Sequence, residues 1–212
     1  MRNTFALISA RFTTLSRSRI GSVLKSVMFA VLLWAASAAG SIPIPGTPVP
    51  ITLQTFVVML AGLMLTWRQA GAAVGMYLAA GAVGLPVFAG GASTLALIGP
   101  SAGFLIGFLP AAMLTAVLKG EARTDTAKHA AMTAARYLLA AFAGCVVLDY
   151  ALGFMVQSAL TGISIKVVAI ASMGFVVGDI IKVCVAALTA AEHPIQLTDS
   201  GGKAQRLLGI QL

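Results

Sequence analysis

Residues 39–56 read AGSIPIPGTPVPITLQTF. Four prolines, Pro43, Pro45, Pro48 and Pro50, fall within eight residues of this stretch. Proline fixes φ, lacks a backbone donor and pushes the residue before it out of the helical region. The segment is therefore extended and stiff. It stops an apolar run over residues 20–40 and delays a second run that begins at residue 51. It reads either as a rigid helix-breaking loop or as a preformed lid over an opening.

The remaining sequence has the same apolar character. Of 212 residues, 59% are hydrophobic and 9% charged, with a mean hydropathy of +0.97. Ordinary soluble domains carry about 25% charged residues, so a soluble fold of this composition could not cover its surface with polar groups. The expected class is a helical membrane protein. A span needs about 20 apolar residues, and the apolar runs predict six, over residues 22–41, 51–67, 70–87, 101–118, 133–157 and 166–190. The expected fold is all-α, a polytopic membrane protein with six transmembrane helices in a compact bundle. A basic N-terminal extension over 1–21 precedes a substrate-binding domain over 22–190 and a tail over 191–212. A cleaved signal peptide fits less well, because the run over 20–40 exceeds an ordinary h-region and ASAAGS is a loose cleavage match. Cys145 and Cys184 lie in apolar stretches and read as small hydrophobes, not as a disulfide or a metal site. A Walker A pattern is absent, so no ATP site is expected in this chain.

Lysine and arginine set the orientation. Arg2, Arg11, Arg17, Arg19, Lys25, Arg68, Lys119, Arg123, Lys128, Arg136, Lys203 and Arg206 fall on segments of one side, and Lys166 alone on the other. The positive-inside rule then puts both termini in the cytoplasm. It also accounts for the formal charge of +8 without nucleic acid, since the basic residues form no dense run. The proline segment falls outside, as do residues 85–99, LPVFAGGASTLALIG. That stretch is apolar yet rich in Gly, Ser and Thr. It is expected to pack on the bundle or re-enter it, with Gly90 and Gly91 letting backbone approach a ligand closely. Two caps on one small bundle point to a site near the outer face.

Three ionisable groups interrupt the later spans: Asp149 in the fifth, Asp179 and Lys182 in the sixth. A charge at membrane depth costs about 2.5–3.5 kcal/mol on insertion scales and marks a candidate functional group. Asp179 and Lys182 are three residues apart, so they share a helix face. They read as an internal ion pair that pins the sixth span to the fifth through Asp149, or as a ligand fork. In a fork the carboxylate accepts N–H bonds and the ammonium meets a carboxylate or a carbonyl oxygen. A ligand with a urea or amide and an acid satisfies both. Gln54 offers a donor and an acceptor beside Thr52 at the outer start of the second span. Tyr77 and Tyr150 offer polar tips on apolar bodies; packing or interface anchoring is the plain alternative for each.

Four pieces occur in order: IPIPGTPVPITLQTFVVMLAG at 42–62, YLAAGAVGLPVFAGG at 77–91, GPSAGFLIGF at 99–108 and GFVVGDIIK at 174–182. Together they resemble the BioY family, the biotin-specific membrane components (S-components) of energy-coupling-factor (ECF) transporters, from about residue 24 onward. The resemblance implies a six-helix bundle in the bacterial cytoplasmic membrane that binds biotin near the external side. The implied partners are a transmembrane coupling protein and ATPase subunits; action alone or as a homo-oligomer is the alternative. It implies that Asp179 and Lys182 hold polar ends of biotin, and by their chemistry Asp179 is assigned to the ureido N–H groups and Lys182 to either the ureido oxygen or the valerate carboxylate. Gln54 and Tyr150 are implied as further contacts, Gly90 and Gly91 as part of the capping loop, with Asp149, Tyr77 and Thr52 as additional candidates. The third piece reads GPSAG where GPTGG is expected, which makes one backbone position near the cap less permissive. Ser22, Ser26 and Ala30 repeat every four residues on the first span. Such a small-residue face permits close helix contact, with the coupling partner as the resemblance implies, or with the bundle itself.

The expected function is high-affinity biotin binding for uptake, without catalysis and without a cofactor or metal. One rival is an S-component for another small vitamin. Another is an intramembrane aspartyl protease built on Asp149 and Asp179 as a proton-sharing dyad. Lys182 argues against the protease, because an adjacent ammonium holds a carboxylate charged.

Overall fold

The computed structural model describes the backbone of residues 2–192 and the side chains of residues 19–192. The helices are α1 (Arg2–Ala38), α2 (Gln54–Met64), α3 (Trp67–Ala82), α4 (Ala102–Leu118), α5 (Ala127–Ala141), α6 (Asp149–Thr161), α7 (Ile165–Ala171) and α8 (Met173–Glu192). A π-helical segment, Phe142–Leu148, joins α5 to α6 in one continuous rod. Arg19–Ala38, Ala127–Thr161 and Met173–Glu192 are long and apolar enough to cross a membrane, and Gln54–Met64 and Ala102–Leu118 are shorter apolar helices.

The exterior is as apolar as the core, unlike that of a soluble protein. Val23, Leu24, Val27 and Met28 of α1 and Val177, Ile181, Val185 and Leu188 of α8 are exposed. Gln54, Thr115, Asp149 and Asp179 are buried. An apolar exterior around a partly polar interior is stable only where the solvent is itself apolar. The chain is a membrane-embedded bundle.

Several expected boundaries move. The helix α1 begins at Arg2, so backbone structure does not separate an extension over 1–21 from the first span. Past Glu192, the expected tail over 191–212 lies outside the described residues. The second span was expected over 51–67, but α2 has only 11 residues, about 16 Å of rise, because Ile51–Thr52 are β-strand and the helix ends at Met64. The sixth, expected as one helix over 166–190, breaks at Ser172 into α7 and α8.

The early end of α2 has a specific support. Its last carbonyls lack intrahelical donors, and Leu65 turns away with extended backbone. Lys119, at the end of α4, is 7% exposed and donates from Nζ to Leu63 O (2.7 Å) and Leu65 O (2.6 Å). Thr66 then starts α3 with a capping box, its hydroxyl accepting from Gln69 N–H and the Gln69 side chain accepting from Thr66 N–H. Gln69 also ties α3 to α1, since Ser26 Oγ donates to Gln69 O at 3.0 Å and Gln69 Nε2 donates to Ser22 Oγ at 2.8 Å. Arg68, Lys119, Arg123 and Lys128 therefore gather at the end of the bundle where α2, α4 and their neighbours turn.

At the opposite end, β1 (Ser41–Ile42) pairs antiparallel with β2 (Ile51–Thr52). The four prolines form the loop of this hairpin. Gly46, with φ of 90°, permits the turn, and Ile44 packs into the space left by Gly174 of α8. Across the bundle, α4 meets α6 through two glycines one turn apart. A Cβ on Gly103 would lie 2.6 Å from Val156 Cβ, and one on Gly107 would collide with Asp149 Oδ1. The GFLIGF motif is thus a close-packing face.

Candidate ligand-binding site

A cavity of about 300 Å³ lies beneath the hairpin, at the lower end of the range typical of small-molecule sites. Pro48, Val49 and Pro50 form its cover; α2, α4, α6 and α8 form its walls. The polar corner is built from α8 and the start of α2. Lys182 Nζ lies 2.7 Å from Asp179 Oδ1, with the two side chains 13% and 5% exposed. The same ammonium donates to Thr52 O (2.8 Å) and Thr55 Oγ1 (2.9 Å). Thr55 Oγ1 donates to Asp179 Oδ1 at 3.1 Å, and Tyr150 OH donates to Asp179 Oδ2 at 2.7 Å. A desolvated ion pair is stable only when its remaining lone pairs and protons are satisfied, and these bonds use all three Lys182 protons and about three of the four Asp179 lone-pair positions. The pair ties α8 to β2 and α2 through Thr52 and Thr55 and to α6 through Tyr150, not through Asp149.

The facing wall is aromatic. Phe104, Tyr150 and Phe175 meet edge-on, with centroid separations of 6.4 Å for Phe104–Tyr150, 6.0 Å for Phe104–Phe175 and 6.3 Å for Tyr150–Phe175. Such T-shaped contacts fix ring orientation as well as burying apolar surface. Phe88 closes a further side from the 85–99 connection. Its ring sits against Gly81, where any Cβ would displace it.

The candidate residues divide. Thr52, Gln54, Asp149, Tyr150, Asp179 and Lys182 all line the cavity. Tyr77 stands behind it, accepting from Gln54 Nε2 and donating to Val87 O, and so holds Gln54 and the 85–99 connection in place. Gly90 and Gly91 are not among the lining residues, although Ala89 and Ala92 beside them are. Their φ values of 69° and 75° supply the left-handed turn that lets Phe88 N–H bond to Ala92 O. The glycines shape the turn of the cap between the two lining residues Ala89 and Ala92. Ala102, in GPSAG, opens α4 in helical conformation, so alanine is accommodated there. Ser22 and Ser26 turn inward onto α3, which fits the internal-packing reading of the small-residue face. Thr55, which bonds both Asp179 and Lys182, was not among the candidates although it directly follows Gln54; Phe104 and Phe175 of the aromatic wall left no polar signal in the sequence.

An exposed apolar shell around one capped, half-polar cavity defines a membrane-embedded binder of a small amphipathic molecule. The BioY family model matches residues 9–197, and the chain belongs to the BioY family. The match reaches back into the segment expected to fall outside the resemblance. The chain is similar to the biotin transporter BioY of Rhizobium etli, 35% identical over 164 residues, covering 77% of this chain and 87% of that one. It is 39% identical over 174 residues to the biotin transporter BioY of Rhodobacter capsulatus, with the same 77% and 87% coverage. Among solved structures it resembles the S-component for biotin from an ECF-type ABC transporter, with a TM-score of 0.76 and 25% identity over 85% of this chain and 94% of that one.

Proposed function

We propose that this chain is the biotin-binding membrane component of a biotin uptake system, and not an enzyme. One observation carries the reading: a single cavity sets the Asp179–Lys182 fork against the Phe104, Tyr150 and Phe175 wall. Biotin divides in the same way. Its ureido group offers two N–H donors and a carbonyl, its thioether ring and chain are apolar, and its tail ends in a carboxylate. Asp179 accepts from the ureido group, and Lys182 meets the ureido oxygen or the tail carboxylate by turning one N–H donor from Thr52 O or Thr55 Oγ1 to the ligand. The protease alternative needs a proton shared between two carboxyls. Asp179 instead holds Lys182 and Tyr150, and Asp149 makes no hydrogen bond among the described residues.

The proposed topology has six crossings in the bacterial cytoplasmic membrane: α1, the β2–α2 unit, α3, α4, the α5–α6 rod and α7 with α8. The basic end faces the cytoplasm with both termini, and the hairpin faces outward. Uphill uptake needs an energy source, because a ligand shifts a conformational equilibrium only by its differential affinity for the two states. A transmembrane coupling protein with ATPase subunits supplies it, as the S-component likeness suggests, and the exposed apolar face of the bundle offers them surface. The test is retention of labelled biotin by membranes containing the chain. Displacement by unlabelled biotin but not by thiamin or riboflavin is expected. Displacement by another vitamin at lower concentration would overturn the assignment.

A further inference from the structure

We infer that Asp149 is a second ligand-binding carboxyl in this cavity, accepting a hydrogen bond from one ureido N–H of biotin. The inference rests on the biotin reading above. Asp149 stands where the π-helical segment gives way to α6. It is 1% exposed and lines the cavity, yet neither carboxyl oxygen has a hydrogen-bond partner among the described residues. A buried polar group left unpaired loses its hydration without compensation, so native proteins rarely keep one without a use for it.

Among the described residues no internal donor reaches it. The three N–H donors of Lys182 go to Thr52 O, Thr55 Oγ1 and Asp179 Oδ1. Tyr150 donates to Asp179, and Gln54 donates to Tyr77. On its other side the neighbour is Gly107, where a Cβ would collide with Asp149 Oδ1. The helix α4 thus makes room for the carboxyl and gives it nothing to bind. Asp179 already accepts three bonds, from Lys182, Thr55 and Tyr150, leaving about one of its four lone-pair positions. A cyclic urea brings two N–H donors on opposite sides of one carbonyl. Asp179 has capacity for one, and Asp149 takes the other. A carboxyl oxygen accepts in either protonation state, and so does an asparagine amide oxygen.

The experiment compares wild type, Asp149→Asn and Asp149→Val by biotin titration and by thermal unfolding without biotin. The inference expects Asn to bind within about threefold of wild type and Val to bind about tenfold or more weakly, the range a lost buried hydrogen bond gives. It also expects Val to unfold no earlier than wild type, since an unpartnered polar group is gone. A purely structural carboxyl would lower the unfolding temperature instead. Should the valine variant not fold, Asp149→Ala reads the same two quantities. Wild-type affinity in Val, or equal loss in Asn and Val, overturns the inference. Failure of wild type to bind biotin overturns the reading beneath it as well.

Discussion

At the scale of single residues, Lys182 does two things at once. It neutralises Asp179 inside the bundle, and it holds the start of α2 through Thr52 and Thr55. Removing one partner of a buried pair strands the other charge, at a cost of about 3–5 kcal/mol. Lys182→Met is therefore expected to unfold earlier than the double variant Asp179→Asn, Lys182→Met, as thermal unfolding in detergent would record. Equal stability would show that the pair is not electrostatically coupled. Lys119 makes a different prediction. Burial pushes its ammonium from 10.5 down to about 8. Above pH 8 the folded chain gives up a proton that the unfolded chain still binds, so stability rises with pH up to about 10.5 and is level below 8. Wild type should gain on Lys119→Met across that window, and a constant difference would contradict the assignment. The sequence announced Asp179 and Lys182, because a charge in an apolar run stands out. It also announced Lys119, but only as a count toward orientation; its use as a cap on α2 depends on a contact 54 residues away in sequence.

At the scale of elements, the hairpin over the cavity is stiff before anything binds. Pro48 and Pro50 face the cavity, and a rigid cover loses less freedom on binding than a floppy one. Replacing both with alanine should speed biotin release about threefold to tenfold, read from dissociation of labelled biotin. Unchanged release would leave the prolines as plain helix breakers. The close contact of α4 with α6 gives a further prediction. Gly107→Ala would force its methyl onto the Asp149 carboxyl, so binding should weaken and the unfolding temperature fall. Wild-type behaviour in both would show that the interface is looser than described. Span positions were legible where apolar run and helix coincide, as for α4, expected over 101–118 and found over Ala102–Leu118. They were not legible where tertiary bonds end a helix inside an apolar run. Lys119 stops α2 there, and the sixth span breaks at Ser172 between α7 and α8, where Ile44 of the hairpin packs against Gly174 and Gly46 faces Ala171.

At the scale of the molecule, the charge asymmetry and the capped cavity lie at opposite ends. The proposed orientation predicts that cysteine introduced at Thr47, in the hairpin, reacts with an impermeant thiol reagent from outside intact cells. Cysteine introduced at Lys128 should react only after the membrane is opened, each in a background lacking Cys145 and Cys184. The reverse pattern would invert the topology. The family was legible because four motifs encode the parts that build the cavity: the hairpin and start of α2, the Phe88 connection, the glycine face of α4, and the α8 fork. In the proposed function this cavity holds biotin through that fork. Calorimetric titration of purified, biotin-stripped protein, wild type beside Lys182→Ala, tests it most directly. Tight binding by wild type is expected, with a loss of about a hundredfold or more in the variant, as a charged hydrogen bond and its stranded partner imply. Equal binding by both would contradict the role of the fork, and no binding by folded wild type would contradict the biotin assignment itself.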